Sequence, residues 1–325
     1  MKFFVTGGAG FLGSALTALL SALGHEVVVY DNLERGRSQY LPLERRVSLI
    51  QGDVRDGAAL HAALRQSKPE HVVHLAALHF IPDCIARPDD TLQINVQGTR
   101  LLLAACAETR PKSVIFASSA AVYAPNATAC SEDTTPVCPG EVYGESKVTG
   151  ERLAREFHAV TGCDTSILRI FNAIGPRETN PHVVPHLFES LRVSDRISLG
   201  NTTPERDYVH TNDIASAVLA VAQRSSGCEV YNVGSGRAHA VSEIVTILGE
   251  KLRRPLRVEV DPKRLRSVDR PLLLADITKI RERVGWTPRH ALDDALDELI
   301  AHYHLRIEPE PAVAPKRRIG AAEKV

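Results

Sequence analysis

Tyr143 and Lys147 stand four residues apart in a segment with helical patterning. On a helix that spacing puts both side chains on one face. A free phenol has a pKa of about 10 and is a poor base at neutral pH. A neighbouring ammonium favours the phenolate, and so does any further positive charge nearby. Such a tyrosine can take the proton of an alcohol while a hydride leaves the same carbon. Ser118 and Ser119 end an apolar run at 113–117. A serine hydroxyl there can hydrogen-bond the same oxygen, and spacing alone does not choose between the two.

A hydride needs an acceptor, and the N-terminus supplies a place for one. Gly7-Gly8-Ala9-Gly10-Phe11-Leu12-Gly13 reads G-x-x-G-x-x-G. It lies between the short apolar run Lys2–Thr6 and a helix pattern at 11–23. The glycines permit a tight turn and close approach of a pyrophosphate, and the helix N-terminus offers unpaired N–H groups. Asp31 follows Gly13 by 18 residues, at the end of a second apolar run at 26–30. A carboxylate there accepts the adenosine ribose hydroxyls and repels a 2′-phosphate, which favours NAD over NADP. Arg35 and Arg37 read as solvated loop charge. Asp53 and Val54, after the run Val47–Gln51, are placed to reach the adenine. The positive nicotinamide ring is then the second charge that favours a Tyr143 phenolate.

These residues need a scaffold that carries them to one edge. Further apolar runs at 71–76, 113–117 and 165–170 alternate with helical patterns at 57–66, 91–107 and 143–160. Near-continuous apolar strands separated by helices predict an α/β fold: a doubly wound parallel sheet covered on both faces (Rossmann), with ligands at the carboxyl ends of the strands. After Asn172 the alternation loosens, with Gly, Pro, Asn and Arg through 175–185. This predicts a smaller, mixed α/β substrate domain. A helix at 213–224 and a strand at 229–233 return to the sheet. The expected division is 1–171 with 207–235 for the NAD-binding domain, and 172–206 with 236–307 for the substrate domain. Residues 308–325 are expected to form a disordered tail.

The 325 residues carry 39 Lys+Arg and 39 Asp+Glu, a formal net charge of zero. That disfavours nucleic acid or an anionic membrane as partner. No apolar stretch is long enough for a membrane span, and the N-terminus does not read as a signal peptide. Six scattered cysteines without a C-x-x-C read as reduced thiols of a cytoplasmic protein. Cys130 and Cys138 are expected to stay unpaired. No metal site is expected. His71 and His74 point to opposite faces of a strand, and Pro185 is expected to break the helix that His182 and His186 would need. Trp286 and the amphipathic stretch 291–300 read as packing.

The chain resembles the extended short-chain dehydrogenase/reductase family, in particular its nucleotide-sugar epimerases and dehydratases. The motifs are the glycine run, Asp31-Asn32-Leu33, Gly52-Asp53-Val54, His74-Leu75-Ala76-Ala77, Asn95-Val96-x-Gly98-Thr99, Ser118-Ser119-Ala120-Ala121-Val122-Tyr123, Tyr143-Gly144-Glu145-Ser146-Lys147, Leu168-Arg169-x-Phe171-Asn172, Arg206-Asp207-Tyr208-Val209-His210 and Gly285-Trp286-x-Pro288. The resemblance implies that Ser119, Tyr143 and Lys147 are catalytic. It implies that Gly7, Gly10, Phe11, Leu12, Asp31, Asn32, Asp53, Val54, Leu75, Ala76, Ala77, Asn95, Ala117, Tyr143 and Lys147 line the NAD site. His79, Ser119, Tyr143, Asn172, Val184, Arg206, Arg266 and Asp269 would hold the nucleotide sugar. His79 stands where similar 4-epimerases often carry a lysine.

Dehydratases of this family carry Asp-Glu after the catalytic hydroxyl residue, where this chain has Ala120 and Ala121, which cannot do acid/base work. What remains suffices for C4 epimerisation by oxidation to a 4-keto sugar and return of the hydride to its other face. The expectation is a 4-epimerase of a nucleotide-diphosphate hexose, UDP by default, with GDP, ADP, CDP or dTDP as alternatives. Competing readings are a 4-ketosugar reductase and a non-catalytic NAD sensor. The resemblance also implies a homodimer joined through the helices at 91–107 and 143–160.

Overall fold

The computed structural model describes residues 1–264 and 270–308. Its first half alternates β1 (Lys2–Thr6), α1 (Phe11–Ala22), β2 (Glu26–Asp31), β3 (Val47–Gln51), α2 (Gly57–Ser67), β4 (His71–His74), α3 (Ile81–Ala86), α4 (Pro88–Leu92), α5 (Gly98–Thr109), β5 (Ser113–Ser119), α6 (Val142–Thr161) and β6 (Asp164–Ile170). After β7 (Asn172–Ile174), α7 (Val183–Leu191), β8 (Arg196–Leu199), β9 (Glu205–His210) and α8 (Thr211–Arg224), β10 (Cys228–Val233) returns to the sheet. The rest comprises β11 (Ala238–Ala240), α9 (Val241–Leu252), β12 (Arg257–Val260), β13 (Leu272–Leu273), α10 (Thr278–Val284) and α11 (Leu292–His302).

Seven strands form one parallel sheet in the order β10-β6-β5-β4-β1-β2-β3. β1 has successors on both sides, β2 on one and β4 on the other. The helices that follow β1 and β4 therefore lie on opposite faces of the sheet, and this switch point is where such folds bind ligands. Burial on both faces follows from two helical layers. Leu16 and Leu20 of α1 and Ile214 and Val218 of α8 cover one face. Leu60 and Leu64 of α2, Leu102 and Cys106 of α5, and Leu153 and Phe157 of α6 cover the other.

A second core lies between α7, α9 and α11, with Leu187, Phe188, Ile244, Leu248, Leu296 and Leu299 buried. Short strands surround it. β7, β11 and β13 all pair with β9, and β8 pairs with β12. β9 straddles the expected boundary at 207 and stays outside the central sheet. Its buried Asp207 explains the anchorage, because that carboxylate accepts the backbone N–H of Ser235, Gly236 and Ala275.

Two helix expectations are corrected. The stretch at 91–107 is not uniform. A wide π turn at 93–97 joins α4 to α5, and the Thr99 hydroxyl donates to the Asn95 carbonyl at 2.6 Å there. Pro185 does not break its helix either. It sits in the first turn of α7, whose N–H groups have no intrahelical acceptor to lose.

All six cysteines are free, Cys130 buried and Cys138 exposed. Among the described residues, no helix is long and apolar enough to cross a membrane. The expected tail lies outside the described residues beyond 308.

Candidate active site

Five elements deliver the expected side chains to the carboxyl edge of the sheet. β1 ends in the glycine loop, where Gly7 has φ +70°. A Cβ on Gly7 would sit 2.7 Å from the Ala76 nitrogen, so the loop after β4 lies hard against the glycine turn. At Gly13 a Cβ would collide with the Gly7 carbonyl, which explains the third glycine. α1 starts without a side-chain cap at Gly10 and with no acid in its first turn. Its N–H groups at Phe11 and Leu12 therefore remain available to a diphosphate.

Asp31 is buried at the end of β2. Its two oxygens accept the Ala9 N–H at 3.0 Å and the Leu33 N–H at 2.9 Å. Each keeps a lone pair for a ribose hydroxyl. Asn32 donates to Asp53, and Arg55 also grips Asp53 and holds that carboxyl well below its usual range. Arg35 pairs with Asp83. The empty-handed helix start, the glycine cradle and a ribose-facing acid fit a dinucleotide.

β5 ends in the two serines, and the structure separates them. Ser118 is buried and donates to Glu151 Oε1 at 2.6 Å. Ser119 instead stands beside the Tyr143 phenol, whose pKa its hydroxyl acts to lower, and accepts the Ala121 N–H at 3.1 Å. Lys147 lies one turn below Tyr143 on α6, its Nζ 5.8 Å from that ring centroid. Nζ donates to the Ala117 carbonyl at 2.8 Å.

Burial governs both groups. It pushes the Tyr143 phenol up to about 12, against the lowering effect of the Ser119 hydrogen bond. It brings the Lys147 ammonium down to about 8. The expected lowering of the phenol is thus reversed in the protein alone, because desolvating an anion costs more than the Ser119 bond returns.

Other expected residues take varied places. Leu75, Ala76 and Ala77 form the β4 loop. Asn95 is buried beneath it, its amide joined to the Leu78 backbone in both directions and to the Ser146 hydroxyl. It clamps the loop to α6. His79, further along the loop, is half-buried. Asn172 is exposed at the start of β7. Val184 packs its side chain into the second core. Arg206 donates to the Arg270 carbonyl at 2.7 Å. Arg266 and Asp269, expected at the nucleotide, lie outside the described residues. His71 and His74 bond the Ser113, Thr6 and Thr99 hydroxyls.

Sequence reasoning missed the support beneath the site. Arg169 on β6 makes a two-point ion pair with Glu151, at 2.9 and 2.8 Å, with both side chains 4% exposed. Its guanidinium also lies 4.7 Å over the Tyr123 ring. A charge inside an otherwise apolar strand run was the available signal.

The arrangement is one half-buried acid/base, a hydroxyl beside it and a cradle for a dinucleotide. Residues 3–234 match the sequence model of the NAD dependent epimerase/dehydratase family. The chain belongs to that family. A UDP-glucose 4-epimerase of Corynebacterium glutamicum is 32% identical over 308 residues, covering 89% of this chain and 92% of the relative. The structure of Thermus thermophilus UDP-glucose 4-epimerase in complex with NAD superposes with a TM-score of 0.85 at 29% identity, covering 94% and 99% of the two chains. A UDP-N-acetylglucosamine 4-epimerase from Methanobrevibacter ruminantium, in complex with UDP-N-acetylmuramic acid, gives 0.85 at 29% identity, covering 93% and 98%. This epimerase is thus an NAD-dependent enzyme of Rossmann fold.

Proposed function

We propose that the protein interconverts a UDP-hexose and its C4 epimer. The observation that carries this reading is the contact between Ser119 and Tyr143, followed along the chain by Ala120 and Ala121. One acid/base group faces the substrate from this stretch, with no second acid for dehydration. The relatives and neighbours that carry UDP-sugar names support the nucleotide.

Gly7, Gly10, Phe11, Leu12, Asp31 and Lys147 would hold NAD, which would supply a reversible hydride acceptor beside C4. Tyr143 takes the C4-hydroxyl proton and returns it after the sugar has presented its other face. Ser119 holds the same oxygen by hydrogen bonding, which strengthens as negative charge develops on it. Lys147, cationic below about pH 8, favours the phenolate electrostatically. Asn172 and Arg206 would hold the diphosphate and nucleoside.

We also infer a cytoplasmic homodimer joined through α5 and α6, as the family resemblance implies. Exposed Leu92 and Val160 near these helices support it.

Incubating the purified protein with UDP-glucose, without added NADH, tests the reading. UDP-galactose should accumulate to an equilibrium ratio with no net NADH. Stoichiometric NADH formation would instead mean an oxidoreductase that releases its keto product.

A further inference from the structure

Beside the catalytic pair, three side chains from two loops converge on one point. His79 comes from the loop after β4, and Glu178 and His182 from the segment between β7 and α7. One ligand atom of each lies within 4.8 Å of the other two. Glu178 is 7% exposed and His182 39%, so the cluster opens to solvent on the His182 side. The two imidazoles lie nearly parallel, 5.9 Å apart at an interplanar angle of 23°.

The lone pairs are aimed inward. Asn180, itself buried, donates from Nδ2 to Glu178 Oε1 at 3.0 Å and lies 3.1 Å from His79 Nε2. Nε2 is therefore the accepting nitrogen of His79.

We infer that His79, Glu178 and His182 form a binding site for a divalent transition metal of the zinc class. Two imidazoles and one carboxylate are the ligand set that leaves a coordination position for an oxygen. Tetrahedral ligands at about 2.0–2.1 Å from zinc stand roughly 3.4 Å apart. The present spacing reaches that by small side-chain rotations, and His182 is exposed enough to make one. A flip of the Asn180 amide exchanges Nδ2 for Oδ1 at nearly the same place. The residue that bridges the acceptors by donation can thus join them as a carbonyl ligand. The metal would tie the β4 loop of the NAD-binding sheet to the segment that leads into the second core. This inference departs from the expectation that the chain has no metal site. It does not depend on which sugar is the substrate.

Tag-free protein, stripped with chelator and then dialysed against cobalt(II) or zinc(II), tests it without reference to turnover. About one equivalent of metal per chain should survive gel filtration, and the cobalt form should show visible d–d absorption that zinc abolishes. His182→Ala and Glu178→Gln should each lose the metal while keeping the wild-type far-UV spectrum and NAD content. His61→Ala, on the surface of α2, should keep the full equivalent. Wild-type protein that retains no metal overturns the assignment and leaves a hydrogen-bonded cluster. Metal retained at wild-type stoichiometry in both ligand variants, or lost in His61→Ala, overturns it equally.

Discussion

Lys147 Nζ donates to the Ala117 carbonyl at 2.8 Å rather than to the Tyr143 phenol. The ammonium is thus tied to the end of β5, and it acts on the phenol through space. Burial penalises the charged form at both residues, but the signs are opposite. The phenol rises to about 12 and the ammonium falls to about 8. Turnover needs the phenolate, so kcat/KM should climb with pH up to about 8. Above about pH 8 Lys147 loses its charge and the profile should bend over. Lys147→Ala should be slower everywhere and lack the bend. A wild-type profile still climbing at about pH 10 would contradict this.

Tyr143→Phe removes the only acid/base group in the proposed chemistry. A loss in kcat of about 100- to 10,000-fold is expected from the usual weight of general acid–base catalysis. NAD content should stay at the wild-type level, because the glycine loop and Asp31 are untouched. An unchanged kcat would remove Tyr143 from the mechanism.

The two adjacent serines should fail in different ways. Ser119→Ala loses the hydroxyl that acts on the Tyr143 phenol, and its defect should appear in kcat with thermal stability nearly unchanged. Ser118→Ala leaves a buried Glu151 oxygen short of a donor. It should cost about 1–3 kcal/mol of stability, with a smaller effect on kcat. Paired thermal melts and steady-state kinetics separate them, and an exchange of the two phenotypes would overturn the assignment.

Much of this was legible in the sequence because backbone periodicity and glycine spacing are local properties. The β1–α1 turn, Asp31 and the Tyr143/Lys147 face follow from residues within one or two elements. The choice of Ser119 over Ser118 was not legible from spacing. It depends on Glu151, 33 residues beyond Ser118, facing the end of β5. The cluster of His79 with Glu178 and His182 was hidden for the same reason, since His79 lies about a hundred residues before the other two. Pro185 misled in the other direction. A helix-breaking residue is harmless in a first turn, and sequence alone does not say where the turn begins.

Glu151→Gln breaks a buried ion pair on which Ser118 also leans. Removing one charge from such a pair costs about 3–5 kcal/mol. The midpoint of urea unfolding should fall accordingly. Glu151→Gln combined with Arg169→Met should recover part of the loss, because no unpaired charge then remains buried. A double variant weaker than the sum of the two singles would contradict this.

The central claim is that hydride leaves C4 and returns to the same carbon within one turnover. Proton NMR in heavy water, with UDP-glucose and UDP-galactose and no added NADH, tests it most directly. The two sugars should interconvert with no deuterium gained at any ring carbon. Deuterium at C3 or C5 would mean enolisation and contradict it.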